Sequence, residues 1–107
     1  MGIQPHQHGP QGSLQLLQLE RGQALGLTLF LGKAQLIVAA VTKGYVMCGY
    51  LNVETANKLG DCAARVSGVT TLDDLLDAKI NAVSETAKHQ GLHEGMTGRE
   101  FLNALLA

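Results

Sequence analysis

The stretch from residue 24 to residue 41, ALGLTLFLGKAQLIVAAV, decides the fold. It is as long as a membrane span of roughly 18 apolar residues, but Gly32, Lys33 and Gln35 divide it into two strand-sized pieces. In the first piece Leu25, Leu27, Leu29 and Leu31 alternate with Ala24, Gly26, Thr28 and Phe30. That is the period of two expected of a β-strand with one heavily apolar face and one mixed face. The second piece, Leu36 to Val41, is apolar at every position, the pattern of a strand covered on both sides. Gly32-Lys33 between them suits a tight hairpin with glycine where a positive φ is needed.

Upstream, Leu14 and Leu16 share one face and Leu17 and Leu19 the other, a change of phase that predicts a β-bulge. Arg21-Gly22-Gln23 then turns the chain. Downstream, Thr42-Lys43-Gly44 makes another turn, and Tyr45-Val46-Met47-Cys48 forms a fourth short strand. Connections this short join neighbouring antiparallel strands, so residues 14–48 read as a meander. Residues 1–13, MGIQPHQHGPQGS, hold almost nothing to bury and read as a flexible tail before a single domain over 14–107. His6 and His8 read as solvated tail residues rather than metal ligands.

Helices are expected after the meander. Asn52 is a good N-cap for a helix from Val53 to about Ala64, with a small-residue stripe of Ala56, Leu59 and Ala63. Arg65 to Val69 is open between loop and short strand. Thr71 with Asp74 three residues on forms a weak capping box. Leu72, Leu75, Leu76, Ile80, Val83 and Ala87 fall on one helical face, interrupted at Asp77, which could cap a second helix. Gly91 ends that region in the left-handed conformation. Thr97 and Glu100 make a capping box for a last helix that buries Phe101, Leu102 and Leu105. The fold class is therefore α+β: a four-stranded, mostly antiparallel meander followed by three to four helices packed on one face of the sheet.

Composition narrows the possible functions. The 107 residues fit one domain. Apolar residues make up 46% of the chain and charged residues only 16%, against a typical ~25%. A small domain with so few charges must cover its surface in another way, and a second copy of the chain would do so. The apolar Leu36–Val41 strand also asks for cover on both sides, so a homo-oligomer is expected. With a formal net charge of −1, scattered Lys and Arg, and few aromatic residues, nucleic-acid binding is disfavoured. The N-terminal residues have no apolar core, so no secretory signal is read there, and no segment suits a membrane span. Cys48 and Cys62 are then expected to be free thiols in a cytoplasmic protein.

Three constellations could carry chemistry. Cys48 lies at the end of a strand shortly before a helix start, an elbow where a thiolate nucleophile can be presented, with His89 or His93 as possible bases. The competing reading is a buried small hydrophobe. A zinc site is disfavoured, because Cys48 and Cys62 are too far apart for a knuckle and Gly91 separates His89 from His93. Gly95-Met96-Thr97-Gly98-Arg99-Glu100 combines glycines, a helix start and a cation, which describes an anion site made by Gly95, Thr97, Gly98 and Arg99. The same residues are also explained by helix capping alone. Asp73, Asp74 and Asp77 complement a helix dipole without a metal.

Three segments in order, Gly44-Tyr45-Val46-Met47-Cys48-Gly49, Gly68-Val69-Thr70-Thr71-Leu72-Asp73-Asp74-Leu75-Leu76 and Gly95-Met96-Thr97-Gly98-Arg99-Glu100, resemble the YunC-like family. This is a group of small bacterial and archaeal proteins that share a domain of unknown function. The resemblance runs from about residue 20 to the end. It implies an α+β fold of this size, no assigned activity and no catalytic residues to carry over, while placing Cys48 and Arg99 inside the matched blocks. The expectation is a homo-oligomeric binding or regulatory module that holds a small anion near Arg99, needing no cofactor. The alternative is a small cysteine-dependent enzyme using Cys48.

Overall fold

The computed structural model describes residues 11–107, so His6, His8 and most of the expected tail lie outside the described residues. Four strands come first: β1 (Gly12–Gln18), β2 (Gln23–Leu31), β3 (Ala34–Val41) and β4 (Gly44–Met47). They pair in sequence order and antiparallel, as the alternation and short turns require. Gly32 has φ 52° at the β2–β3 hairpin. The strand takes in Gly12 and Ser13, two positions assigned above to the tail, because Gly12 pairs with Leu29 and Gln11 accepts the Phe30 N–H at 2.8 Å.

No bulge interrupts β1: its register runs one-to-one from Gly12↔Leu29 to Gln18↔Gln23. The leucines change phase because both faces of the strand carry them. Leu14 and Leu16 stand opposite Leu27 and Leu25, whereas Leu17 stands opposite Ala24 on the other face. Leu19 is buried just past the strand end, in the turn closed by its N–H donating to the Gly22 carbonyl at 2.8 Å.

The sheet has six strands rather than four. Helix α1 (Val53–Leu59) starts at Asn52, whose Oδ1 accepts the Thr55 N–H at 3.2 Å, and stops at Gly60 with φ 75°. The helix expected to reach Ala64 is cut short by that left-handed cap, which frees Ala63–Arg65 to become β5. Strand β5 pairs parallel to β4, and β6 (Ala82–Val83) pairs antiparallel to β5. The 72–87 stripe is likewise not one helical face. Helix α2 (Leu72–Asp77) ends at Ala78, β6 intervenes, and α3 (Glu85–His89) is capped by Ser84 rather than Asp77. Gly91 follows with φ 81°. Helix α4 (Gly98–Leu106) has the expected capping box and buries Phe101, Leu102 and Leu105.

The two faces of the sheet are treated differently. One face, with Ala24, Ile37, Ala39, Val46 and Ala64, packs under α2, α3 and α4 in a core built on Phe101, Leu75, Leu102 and Val66. Gly98 permits the close approach of α4 to α2, since a Cβ there would strike the Leu75 carbonyl oxygen. Helix α1 lies on the opposite face, where Ala56 packs on Ala63 beside Tyr45 and Met47. The helices therefore do not share one side. Beyond α1, the leucines of β1 and β2 stay open: Leu14 is 65%, Leu16 66%, Leu25 46% and Leu31 38% exposed.

Candidate functional site

Strands β4 and β5 form the single parallel pair among the described residues, joined through α1. Their carboxyl ends lead into two loops, Cys48 to Asn52 and Val66 to Thr71, at the same edge of the sheet. In α/β sheets the crevice outside the carboxyl ends of parallel strands is where ligands bind, because backbone groups and helix starts converge there. A cavity of about 530 Å³ opens at this edge, between those loops and the β2–β3 hairpin. Lys33, Gln35, Cys48, Tyr50, Val69 and Thr70 supply its larger side chains.

Cys48 is buried and its sulfur is engaged. Sγ accepts the Ile37 N–H at 3.4 Å, and the thiol donates to the Gln35 carbonyl at 3.6 Å. The Cys48 N–H donates to the Ile37 carbonyl at 3.0 Å, extending the β3–β4 ladder past the end of β4. No histidine or carboxylate lines the cavity. His89 closes α3 and the His93 ring lies 2.8 Å from the Glu94 carbonyl, so the structure joins neither to Cys48. The thiol stands at a ligand-sized cavity without a base.

Beside Cys48 the Gln35 side-chain oxygen is buried with no hydrogen-bond partner. A buried carbonyl oxygen left unpaired costs about 1–3 kcal/mol, so such groups are scarce in proteins unless something external satisfies them. The Thr70 hydroxyl is occupied, donating to Asp74 Oδ2 at 3.1 Å while the Thr70 N–H donates to the same oxygen at 3.2 Å. Those bonds, the backbone one first, hold the Asp74 carboxyl below its ordinary range. The sequence does not single out Gln35, Tyr50, Val69 and Thr70 as site residues, because the helix expected from Val53 to about Ala64 takes in most of β5 and hides the parallel pair.

The Gly95–Glu100 loop presents little to an anion. The Thr97 N–H donates to Glu100 Oε1 at 2.8 Å, Gly98 N–H to the Ala78 carbonyl at 3.1 Å, and Glu100 N–H to Thr97 Oγ1 at 3.1 Å. Gly95 N–H donates to the Ile80 carbonyl at 3.0 Å. Arg99 Nη2 lies 3.2 Å from Asp77 Oδ1, on the surface. Arg99 and Arg21 border a hollow of about 520 Å³, but Glu20 and Glu100 line it too and balance the charge. Gly95, Thr97, Gly98 and Arg99 are thus accounted for by capping, helix packing and a surface ion pair.

On the other side of β4, the Tyr45 hydroxyl donates to Asp61 Oδ2 at 2.8 Å. Burial first, then the bond to Asp61 and its charge, push Tyr45 up to about 12. Burial alone pushes the Cys62 thiol up. Cys48 and Cys62 are both free, and no group of three or more potential metal ligands clusters among the described residues. No helix among them is long and apolar enough to cross a membrane.

Comparison with known proteins agrees with the three matched blocks. The family described as "Domain of unknown function (DUF1805)" matches residues 47–105. The uncharacterized protein YunC of Bacillus subtilis (strain 168) is 37% identical over 90 residues, covering 80% of this chain and 89% of that protein. Among solved structures, the protein of unknown function TA1206 from Thermoplasma acidophilum matches with a TM-score of 0.87 and 38% identity. That match covers 94% of this chain and 98% of the other.

Proposed function

The chain belongs to the DUF1805, YunC-like family, and from that premise we propose that it is a homo-oligomeric small-ligand-binding module of the cytoplasm. The observation that carries the reading is the open leucine face of β1 and β2, joined to Leu36 and Val38 of β3. At about 4.8 Å between strands and about 3.3 Å per residue, this face spans on the order of 400 Å² in projection. Patches of that size, about 300–600 Å², are the largest that ordinary monomers expose and are often functional. A second copy is the occupant that fits. The paired strands present leucine, valine and alanine without a charge, which a two-fold axis makes complementary to itself. A standard interface of roughly 800 Å² per partner would take the leucines as its centre and the hairpin ends as its polar rim.

Light scattering on the purified chain tests this, with an expected mass of at least twice 11.3 kDa. A monomer would defeat the assembly reading. A second reading, a cysteine-dependent enzyme, is favoured by one observation, that Cys48 lines the cavity. Titration of the Cys48 thiol decides between the two: a nucleophile titrates well below the free value of about 8.5, a structural thiol near or above it.

A further inference from the structure

We infer that the cavity at the carboxyl ends of β4 and β5 is a ligand site for a small planar organic anion, an aromatic or heteroaromatic carboxylate or sulfonate. The site rests on the reading of this chain as a ligand-binding module, but not on its self-assembly, because Gln35 and Cys48 belong to the helix-covered face and the open leucines to the other.

Five observations converge on that ligand class. The volume of about 530 Å³ falls in the range of small-molecule sites, roughly 300–1,000 Å³. Lys33 is the one charged residue in the lining, and the Asp74 carboxylate behind Thr70 is already engaged by the Thr70 N–H and hydroxyl, so the lining itself favours negative charge. Tyr50 is 48% exposed although it borders the cavity, and with Val69 it offers apolar surface to the flat face of a ring. Gly49 and Gly68, which also border it, leave open space where a side chain would stand. Last, the unpartnered Gln35 oxygen belongs to a carboxamide in the wall. A ring N–H or hydroxyl reaching that wall would satisfy it once the whole carboxamide swings into the cavity. Charge at Lys33, a ring against Tyr50 and Val69, and a donor toward Gln35 together specify the class. The thiol of Cys48 stays a hydrogen-bonded wall group, and no bond to it is made.

The test is a titration of the ¹⁵N-labelled chain with 1-naphthoate, followed by two-dimensional NMR, with assembly read on the same sample by light scattering. The expected result is saturable shifts centred on Gly49, Gly68, Val69 and the Gln35 side-chain amide. Lys33→Met should weaken 1-naphthoate at least about tenfold, and 1-naphthalenemethanol, the same ring without charge, should bind wild type at least about tenfold more weakly. Gln35→Met should keep or raise the melting temperature, because it removes an unpaired buried oxygen. For a ligand with a free donor, 6-hydroxy-1-naphthoate, it should weaken binding. Shifts that remain linear with concentration, or that fall on Leu14, Leu16 and Leu25, would overturn the site by showing that the ring only coats the open sheet. Unchanged affinity in Lys33→Met would overturn it equally. Saturable shifts around Arg21 and Arg99 would remove this cavity yet leave a binding module standing, and a monomeric mass with an intact titration would remove only the assembly.

Discussion

Arg99 Nη2 lies 3.2 Å from Asp77 Oδ1, linking the first turn of α4 to the last residue of α2. Both side chains are well exposed, 39% and 71%, and exposed pairs of this kind contribute little. Arg99→Ala should therefore change stability by under roughly 0.5 kcal/mol. Sulfate stabilises most proteins by exclusion, so wild type and Arg99→Ala should gain equally from it in thermal melts. A gain confined to wild type would return the anion to Arg99.

Thr97 offers the contrasting case two residues earlier. Its hydroxyl accepts the Glu100 N–H at 3.1 Å, and the Glu100 side chain accepts the Thr97 N–H at 2.8 Å. Thr97→Ala should cost about 1 kcal/mol in every buffer. For a domain of this size that lowers the melting temperature by roughly 4–8 °C. A change of less than a degree would mean that the cap contributes nothing.

Ser84 is fully buried and joins three segments. Its Oγ accepts N–H bonds from Ala63 at 3.0 Å and Ala87 at 3.4 Å, and its hydroxyl donates to the Asp61 carbonyl at 2.7 Å. Ser84→Ala leaves those backbone groups unpaired at the junction of β5 and α3, at about 1–3 kcal/mol. Urea denaturation checks this: the midpoint should fall with the slope unchanged, as for a loss of stability without a change in the surface exposed.

The alkaline limb of stability should report Tyr45. Its folded value is raised from 10.0 to about 12, so the neutral phenol is favoured in the folded state. The associated stabilisation is complete below about pH 10 and is lost as pH rises toward about 12, where the folded phenol also ionises. Tyr45→Phe should flatten that part of the pH–stability curve, and in a Tyr50→Phe background tyrosinate absorbance should rise with a midpoint near 12. A midpoint near 10 would show that neither burial nor Asp61 restrains the phenol.

On the open sheet face, Leu16→Lys places a charge where Leu16 is 66% exposed, so the isolated protomer should change little in stability. In a homo-oligomer the same lysine would be buried at the interface. Its expected signature is a mass that falls toward 11.3 kDa in light scattering, with the far-ultraviolet spectrum unchanged. Retention of the assembled mass would place the interface elsewhere.

Much of this architecture was legible in the sequence, and the failures share a cause. The alternation in 24–31 and the capping signals at Asn52, Thr71 and Thr97 are local, and local chemistry decided them. Strands β5 and β6 are three and two residues long, too short for any period, and Ala63-Ala64-Arg65 is good helix-forming sequence. Only the Gly60 stop before it and the open reading of Arg65 to Val69 argue otherwise. Tertiary pairing with β4 then decided the segment, and with it the parallel crevice that positions Gln35, Cys48 and Tyr50. Cys48 could be noticed from sequence as a residue at a strand end. The absence of a base around it could not, because that depends on which loops the sheet brings together.

The meander has a consequence for synthesis as well as for structure. Residues 12–47 leave the ribosome before any helix exists, and both of their faces carry leucine, valine or isoleucine. At about 5–20 residues per second, several seconds pass before α4 can cover Ile37 and Val46. During that interval the nascent sheet is a two-sided apolar surface with an exposed edge at β1, the kind of species that aggregates or engages chaperones. Substitutions on the outer leucines would then change the yield of protein in cells through this early stage, even where the finished protomer melts at the same temperature.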